Sequence, residues 1–352
     1  MDKVVEKILN RAKETNTSDI HIMVGTYCRY RINGQLKVLD EEVFTIEHMD
    51  NFILSVMKAK ERRLLEENGE IDFTCNIKEF GRYRVHIFKQ QGMYGAVLHM
   101  IQTKIPTLEQ LGIPLPVNEL IKKKKGLILV TGPSGMGTST TMSAFLNEIN
   151  ETDSRSIVTL ENPIEYIHTH KKSLISQREI GTDTASYITG LNSAMMEDAD
   201  VIMVGELNEP QTILKSLIAA ENGHLVFSTL HTIGAVSTIE RLIDIFPIKQ
   251  QQQIRVQLSS VLEAIISQQL IPDINGTGQV AVYEIMYMTP AIKNFIKEGK
   301  IYQITSAIQS GRKLGMQTMD EAIFDLYAER KITAEKALEF AQDSIALERK
   351  LY

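Results

Sequence analysis

The stretch "GLILVTGPSGMGTSTTMSAFLNEIN", residues 126–150, decides the fold of this chain. It predicts a buried apolar strand, a glycine-rich turn and an amphipathic helix, which is the setting of a phosphate-binding loop. The motif of such a loop is G-x-x-x-x-G-K-[ST], yet Thr138 stands at the position of the lysine. The question is therefore whether this segment is a nucleotide site, the remains of one, or an ordinary strand-to-helix turn.

The loop keeps the features through which a backbone binds phosphate. Gly132, Gly135 and Gly137 supply the freedom that lets successive N–H groups and the helix N-terminus converge on an anion. Ser139 is placed to ligate Mg²⁺, and Thr140 could contact a phosphate. The nucleotide-binding residues predicted from this segment are Gly132, Pro133, Ser134, Gly135, Met136, Gly137, Thr138, Ser139 and Thr140.

The missing lysine removes a positive charge that would reach the β- and γ-phosphates of a nucleotide. A threonine hydroxyl offers at most one neutral hydrogen bond at that position, where charge shifts during phosphoryl transfer. The lysine run at 122–125 precedes the strand, whereas the loop follows it. At about 3.3 Å per residue the two lie roughly 20 Å apart, so we do not expect these lysines to replace the missing charge.

Composition places the chain among soluble globular proteins. Its 352 residues suffice for two domains, and 43% hydrophobic with 23% charged residues is an ordinary balance. The formal charge of −6 argues against a nucleic-acid binder. No apolar run approaches the roughly 18 to 20 residues that span a bilayer. The two cysteines are too few for a disulfide framework or a thiolate zinc site, so we expect a cytoplasmic protein with reduced thiols and no zinc.

Periodicity divides the chain into four parts. Residues 1–101 alternate strand and helix patterns, with a hairpin turn at Asn33-Gly34, and predict a small α+β domain. The proline-containing segment 102–120 predicts a connector. Residues 121–289 alternate short apolar strands with helices, which predicts an α/β domain with a mostly parallel sheet. Residues 290–352 predict a helical region.

Acidic and histidine side chains follow or flank the predicted strands of the α/β domain. Glu161 and Glu206 come at the ends of two strands, where ligands of open parallel sheets bind, and a carboxylate there would face a metal or the attacking water. His231 follows a third strand and favours contact with nucleotide or with an interface, while His224 precedes that strand. The "HTH" at 168–170 is a poor metal site because no thiols lie near it in sequence.

The motifs along the whole chain resemble the retraction ATPases of type IV pili, the PilT-like proteins. Those in the α/β part are "LVTGPSGMGTSTT", "TLENPIEY", "SQREIGTDT", "DADVIMVGEL", "AAENGHLVFSTLHT", "ERLIDIFP" and "IRVQLSSVLEAIISQQLIP". The segments "SDIHIMVG", "YRINGQL" and "GRYRVHIF" resemble the smaller PAS-like N-terminal domain of that family. With its two cysteines and short N-terminal part, the chain is similar to the retraction branch rather than to the zinc-containing assembly and secretion branches.

The resemblance implies a RecA-like P-loop NTPase core that binds ATP and Mg²⁺ between two domains of a hexameric ring. It implies catalytic roles for Glu161, Glu206, His224 and His231. The family uses ATP hydrolysis to withdraw pilin subunits into the inner membrane. The implied partners are other pilus ATPase subunits, in a homo- or hetero-hexamer, and the platform protein of the inner membrane. The implied location is the cytoplasmic face of that membrane.

The chain also departs from the family pattern at charged positions. Thr138 replaces the lysine of the loop, and Asn162 replaces an aspartate. Five further positions lack an arginine that the family carries: Gln91, His99, Asn192, Met196 and Asn208. Arginines of this kind neutralise phosphates or act across a subunit boundary, and neutral side chains cannot replace their paired hydrogen bonds.

Three hypotheses follow from these departures. The first is a working retraction ATPase with an unusual loop. The second is a catalytically weak paralogue that assembles in, or regulates, a hexameric retraction motor, and the clustered loss of charge favours it. The third is a scaffold at the pilus base that needs no nucleotide.

Overall fold

The computed structural model describes residues 2–15, 17–32, 35–77, 79–101, 104–276 and 278–351. The chain forms two compact units. The first contains the residues up to Lys104 together with Pro163–Tyr166, and the second contains Ile105–Asn162 and Ile167–Tyr352. The turn predicted at Asn33-Gly34 lies outside the described residues. No helix in the described ranges is both long enough and apolar enough to cross a membrane.

The first unit is a small α+β domain, as the sequence predicts. Its elements are α1 (Lys3–Glu14), β1 (Asp19–Met23), β2 (Tyr27–Ile32), β3 (Gln35–Val43), α2 (Ile46–Val56), α3 (Ala59–Asn68), β4 (Glu70–Ile77), β5 (Gly81–Gln90) and β6 (Met93–Ile101). The strands form one sheet in the order β3-β2-β1-β6-β5-β4, and every neighbouring pair is antiparallel.

Alternating burial along the strands explains why this sheet covers a core on one face. On β5 the side chains of Tyr83, Val85 and Ile87 are fully buried, while Arg84 and His86 between them are partly exposed. The buried face packs against apolar residues of α1 and α2 in one cluster. The opposite face of the sheet is therefore left to charged and histidine side chains.

The segment 45–68, whose apolar spacing predicts helix, forms two helices with a short break between them. Met57 and Lys58 adopt extended backbone between α2 and α3. The Glu61 carboxylate accepts the backbone N–H of Lys58 at the start of α3, and Met57 is buried in the core. Because a side chain satisfies the backbone at the break, the interruption is stable.

The second unit is an α/β domain followed by helices. After a 3₁₀ segment (Leu115–Lys122) its elements are β7 (Gly126–Thr131), α4 (Thr138–Thr152), β8 (Ser156–Glu161), β9 (Leu174–Glu179), α5 (Tyr187–Ala194), β10 (Val201–Val204), α6 (Pro210–Glu221), β11 (Leu225–Leu230), α7 (Ala235–Asp244), α8 (Ile248–Val261), β12 (Leu262–Pro272), β13 (Gln279–Tyr287), α9 (Pro290–Glu298), α10 (Ile304–Ser310), α11 (Met319–Ala328), α12 (Ala334–Phe340) and α13 (Ser344–Leu351). Two short 3₁₀ turns flank α10: Ile301–Gln303 and Arg312–Leu314.

The sheet of the second unit has seven strands in the order β13-β12-β7-β11-β10-β8-β9. All neighbouring pairs are parallel except β12 with β13. This confirms the predicted α/β class with a mostly parallel sheet. The apolar pattern that predicts strands in 121–289 does not identify β9 or β12, because both strands carry several polar residues.

Central strand β7 is buried on both faces, which accounts for its continuous apolar sequence. Leu127 and Leu129 belong to a cluster with residues of α5 to α8, whereas Ile128 and Val130 belong to a second cluster with α4. A strand with alternate side chains in two separate cores has no solvent-facing side.

The segment predicted as a connector, 102–120, is mostly part of the second unit. From residue 105 onward it is assigned to that unit, and its side chains Leu108, Ile113, Val117 and Leu120 are buried in the core cluster that contains α4. The prolines of this segment therefore lie in an ordered segment that packs on the core of the second unit, and they do not mark a free linker.

Candidate nucleotide-binding site

The carboxyl ends of four parallel strands bring most of the predicted site residues to one edge of the sheet. Thr131 at the end of β7 pairs with Leu230 of β11 and with Ser267 of β12. Val204 at the end of β10 pairs with Leu160 of β8. The residues that follow these ends are the glycine loop after β7, Glu161 at the end of β8, Glu206 after β10 and His231 after β11.

The glycine loop, residues 132–137, has the backbone of an anion-binding turn. Gly135 and Gly137 adopt left-handed backbone with φ of 82° and 78°, which side chains other than glycine rarely tolerate. The turn is closed by the Met136 N–H, which donates to the Pro133 carbonyl over 3.1 Å. Helix α4 begins at Thr138, directly after the loop, and the N–H groups at the N-terminus of a helix are suited to donate hydrogen bonds to a phosphate.

Gly132 is required by a close approach of two strands. A Cβ atom at this position would lie 2.4 Å from the carbonyl oxygen of Gln268, far inside van der Waals contact. The loop therefore leaves β7 in close contact with the backbone of β12 at Gln268.

Thr138 is packed into the base of the loop. Its side chain is only 9% exposed, and its Cγ2 lies 3.3 Å from where a Gly132 Cβ would stand. The side chain is neutral and largely buried, so it supplies no charge to a bound anion.

Glu161 is a buried carboxylate held by two hydrogen bonds. It is 7% exposed, and its Oε1 accepts from the Thr159 hydroxyl at 2.6 Å and from the Gln177 amide at 3.1 Å. Gln177 in turn accepts the backbone N–H of His168 at 2.8 Å. Thr159 and Gln177 are direct partners in the β8–β9 register. Sequence reasoning missed both residues, because it did not predict β9 beside β8.

Glu206 and His231 face each other at the same edge. The Glu206 carboxylate lies 3.6 Å from His231 Nε2, and both side chains remain substantially exposed. Tyr187 of α5 lies near this pair: a Cβ on Gly205 would be 2.9 Å from its hydroxyl oxygen. Burial raises the pKa of Tyr187, and the negative charges of Glu206 and Glu161 add to the shift. The phenol is therefore neutral at physiological pH and lies near enough to both carboxylates to feel their charge.

His224 does not join this group within one chain. It precedes β11, so it lies at the amino edge of the sheet, at the opposite end of the strand from His231. Its Nδ1 donates to the Ala199 carbonyl over 2.6 Å. Within one chain the structure therefore does not place His224 beside the other predicted catalytic residues. Instead, the His224 side chain hydrogen-bonds to the segment that precedes β10.

The remaining positions that depart from the charged pattern are exposed. Asn162, Asn192 and Asn208 are surface residues of the second unit, and Met196, in the turn after α5, is 87% exposed. Gln91 lies in the turn between β5 and β6 of the first unit, with a positive φ of 51°. None of these neutral side chains is required by the core, so arginine would fit sterically at Asn192, Met196 and Asn208.

His99 differs from the other positions that lack the family's arginine, because its side chain can carry a positive charge. Its Nδ1 lies 3.0 Å from the Asp19 carboxylate on the neighbouring strand β1. This hydrogen bond raises the pKa of His99 above the ordinary value of 6.5, although partial burial opposes the shift. The side chain therefore carries more positive charge at neutral pH than an unperturbed histidine, and it is not a simple neutral replacement.

We expect Asp19→Asn to lower the pKa of His99, measured from the pH titration of its ring signals by NMR. In the wild type the pKa of Asp19 is lowered, above all by the hydrogen bond from His99. Their mutual stabilisation is therefore lost as the pH falls through the folded pKa of Asp19. It is also lost as the pH rises through the folded pKa of His99. Asp50→Asn, at an exposed site on α2, is the control. An unchanged His99 titration in Asp19→Asn would contradict the assigned cause.

The fold and site together define a class of protein. The sheet is mostly parallel, a glycine-rich loop of the phosphate-binding type follows β7, and carboxylates lie at the end of β8 and after β10. This is the architecture of a RecA-like P-loop ATPase. Residues 1–338 match the family described as Type II/IV secretion system protein, and the chain belongs to that family.

Known relatives narrow the comparison. The chain is 40% identical over 338 residues to the "Type IV pilus retractation ATPase PilT" of Pseudomonas aeruginosa, covering 96% of this chain and 98% of that protein. It is 42% identical over 314 residues to a "Twitching motility protein" of Neisseria gonorrhoeae, covering 89% and 84%. A crystal structure of the pilus retraction motor PilT with bound ADP superposes with a TM-score of 0.91 at 44% identity, covering 99% and 100%. The resemblance to the retraction ATPases that the motifs predict is confirmed.

Proposed function

We propose that this chain is a type IV pilus retraction motor subunit that binds ATP with Mg²⁺ and hydrolyses it slowly. The observation that carries the proposal is a loop with intact phosphate-binding backbone and no lysine. Gly135 and Gly137 keep the left-handed conformations, and α4 starts at the loop, while Thr138 is buried at its base. The bound ADP in the related PilT structure supports nucleotide binding at this loop.

The residues at the sheet edge suggest how Mg²⁺ and the attacking water would be positioned around a bound nucleotide. Among the described residues no cluster of three or more His, Cys, Asp or Glu side chains could hold a metal alone, so Mg²⁺ would arrive with the phosphates. Ser139, in the first turn of α4, would supply one hydroxyl ligand, and the ion would neutralise phosphate charge. Glu206 would face the metal or the attacking water, beside His231. Glu161, fixed by Thr159 and Gln177, would orient that water.

We expect the slow rate because positive side chains that would stabilise the transition state are missing. The transition state of phosphoryl transfer spreads negative charge over the transferred group, and a single arginine that stabilises it contributes about 10³ to 10⁵ in rate. Thr138, Asn192, Met196 and Asn208 supply no such charge. The catalytic carboxylates are retained, which is the observation that favours residual turnover over complete loss.

Assembly would place the chain in a ring with pilus ATPase subunits, either identical or active paralogues. Such a ring would act at the cytoplasmic face of the inner membrane against the pilus platform protein. In a mixed ring, a neighbouring subunit could deliver the charges that this chain lacks, and the subunit would then regulate the motor more than it drives it.

The decisive measurement is equilibrium binding of fluorescent ATP with Mg²⁺, made alongside phosphate release by the same protein. We expect saturable binding and a release rate at least about 10³-fold below the median enzyme turnover of about 10 s⁻¹. Ser139→Ala is the control, and it should remove the Mg²⁺-dependent part of the affinity. Turnover near the median would indicate a working motor with an unusual loop, and absent binding would indicate a nucleotide-independent scaffold.

A further inference from the structure

A buried glutamine on β12 is tied to both sides of the glycine loop. The Nε2 of Gln268 donates to the Met136 carbonyl, in the loop, over 2.7 Å. Its Oε1 accepts from the Thr141 hydroxyl, in the first turn of α4, over 2.6 Å. The side chain is 2% exposed, so neither bond is in competition with bulk water.

The backbone of β12 contacts the loop at the same place. The Gln268 carbonyl oxygen occupies the space beside Gly132, and its Nε2 lies 3.0 Å from where a Cβ of Gly137 would stand. Two residues further on, the Leu270 N–H points at the Met136 sulfur, 3.3 Å away. One strand thus lies close to the loop at Gly132 and Gly137 and hydrogen-bonds to it at Met136.

Such a tie matters because a loop rich in glycine loses much backbone entropy when it is ordered around a ligand. A loop that is already ordered loses less on binding, and its affinity is correspondingly higher. Where a lysine is present, its charge attracts the phosphates directly. With Thr138 in its place, the order of the backbone N–H groups is the main source of phosphate affinity that the loop retains.

We propose that Gln268 is a positioning residue that preorganises the phosphate loop, and that the nucleotide affinity of this lysine-free site depends on it. The inference rests on the proposed nucleotide binding. It assigns to Gln268 no contact with the nucleotide: its effect passes through Met136 and Thr141.

The chain supplies a matched control on the same strand. Gln269 is the next residue, is 5% exposed, and donates its amide to the Phe340 carbonyl at the end of α12, over 3.3 Å. It has the same chemistry and similar burial, but its hydrogen bond is made to the C-terminal helices and not to the loop.

The test compares Gln268→Ala with Gln269→Ala in the full chain, by calorimetric titration with MgADP and by thermal unfolding. Both variants should lower Tm, since each removes the hydrogen bond that a buried glutamine donates to a backbone carbonyl. Gln268→Ala should weaken MgADP binding at least about tenfold, the size expected for one lost hydrogen bond plus loop disorder. Gln269→Ala should change it less than about twofold. Equal losses in the two variants, or none in Gln268→Ala, would overturn the proposal.

Two further measurements keep the result interpretable. Thr141→Val removes only the hydroxyl that Gln268 accepts from, so it should weaken binding even if Gln268→Ala proves unstable. Amide hydrogen exchange of residues 134–140 without nucleotide should accelerate in Gln268→Ala and stay unchanged in Gln269→Ala. If the wild type binds no MgADP, the proposed function fails, yet the exchange rates still decide whether Gln268 orders the loop. Unchanged exchange in Gln268→Ala would overturn its role in either case.

Discussion

Thr138→Lys is expected to bind MgATP about 10- to 100-fold more tightly than the wild type while hydrolysing it at nearly the same low rate. A charge-assisted hydrogen bond from an ammonium to phosphate contributes about 1.5 to 3 kcal/mol, and each 1.4 kcal/mol is about tenfold in Kd. Lysine has a single γ carbon, so it can turn away from Gly132, which Thr138 now faces. The rate should stay low because the missing arginines still leave the transition-state charge unbalanced.

Thr138→Met separates charge from length in this experiment. Methionine extends from the same helix start without an ammonium, so it should leave the affinity near that of the wild type. Phosphate release is measured under saturating MgATP for all three proteins. A rate typical of an efficient motor in Thr138→Lys alone would show that the loss of charge is local. Unchanged affinity would show that the loop no longer presents its N–H groups to phosphate.

The loop and its flanking elements could be predicted from sequence because their signals are local. β7 is a continuous apolar run, and the glycines that follow it occupy left-handed positions at 135 and 137. The helix that begins at Thr138 buries an apolar stripe against the same core. Patterns of this kind depend on residues only a few positions apart, so they can be recognised in a single sequence.

The supports of the site could not be predicted because they depend on contacts between distant residues. Ser267, Gln268 and Gln269 form a polar run that is typical of an exposed segment, yet they are buried in β12 beside the central strand. Each is satisfied by a partner between about thirty and more than a hundred residues away in sequence. Gln177 is similar, since its bond to Glu161 requires that β9 pair with β8. Burial of a polar side chain can be predicted only when its hydrogen-bond partner is known.

Restoring arginines on top of Thr138→Lys should produce the largest change in activity. The variant carries Asn192→Arg, Met196→Arg and Asn208→Arg, at three exposed positions of the second unit. Surface substitutions of this kind usually alter stability by less than about 0.5 kcal/mol, so the fold should be retained. We expect phosphate release to rise at least about 10³-fold over Thr138→Lys, because arginines that balance transferred charge contribute about 10³ to 10⁵.

Lysines at the same three positions are the control that gives this experiment its meaning. They add the same net charge but cannot form the planar, paired hydrogen bonds of a guanidinium. If the rate rises with arginine and little with lysine, the positions act on phosphate or on a facing carboxylate with defined geometry. Equal gains would indicate a general electrostatic effect on ring assembly, which the dependence of the rate on protein concentration would reveal. No gain in either set would mean that the loss of these charges did not weaken the site. Because Thr138→Lys is already present in both sets, that result would overturn the explanation of slow turnover by missing positive charge.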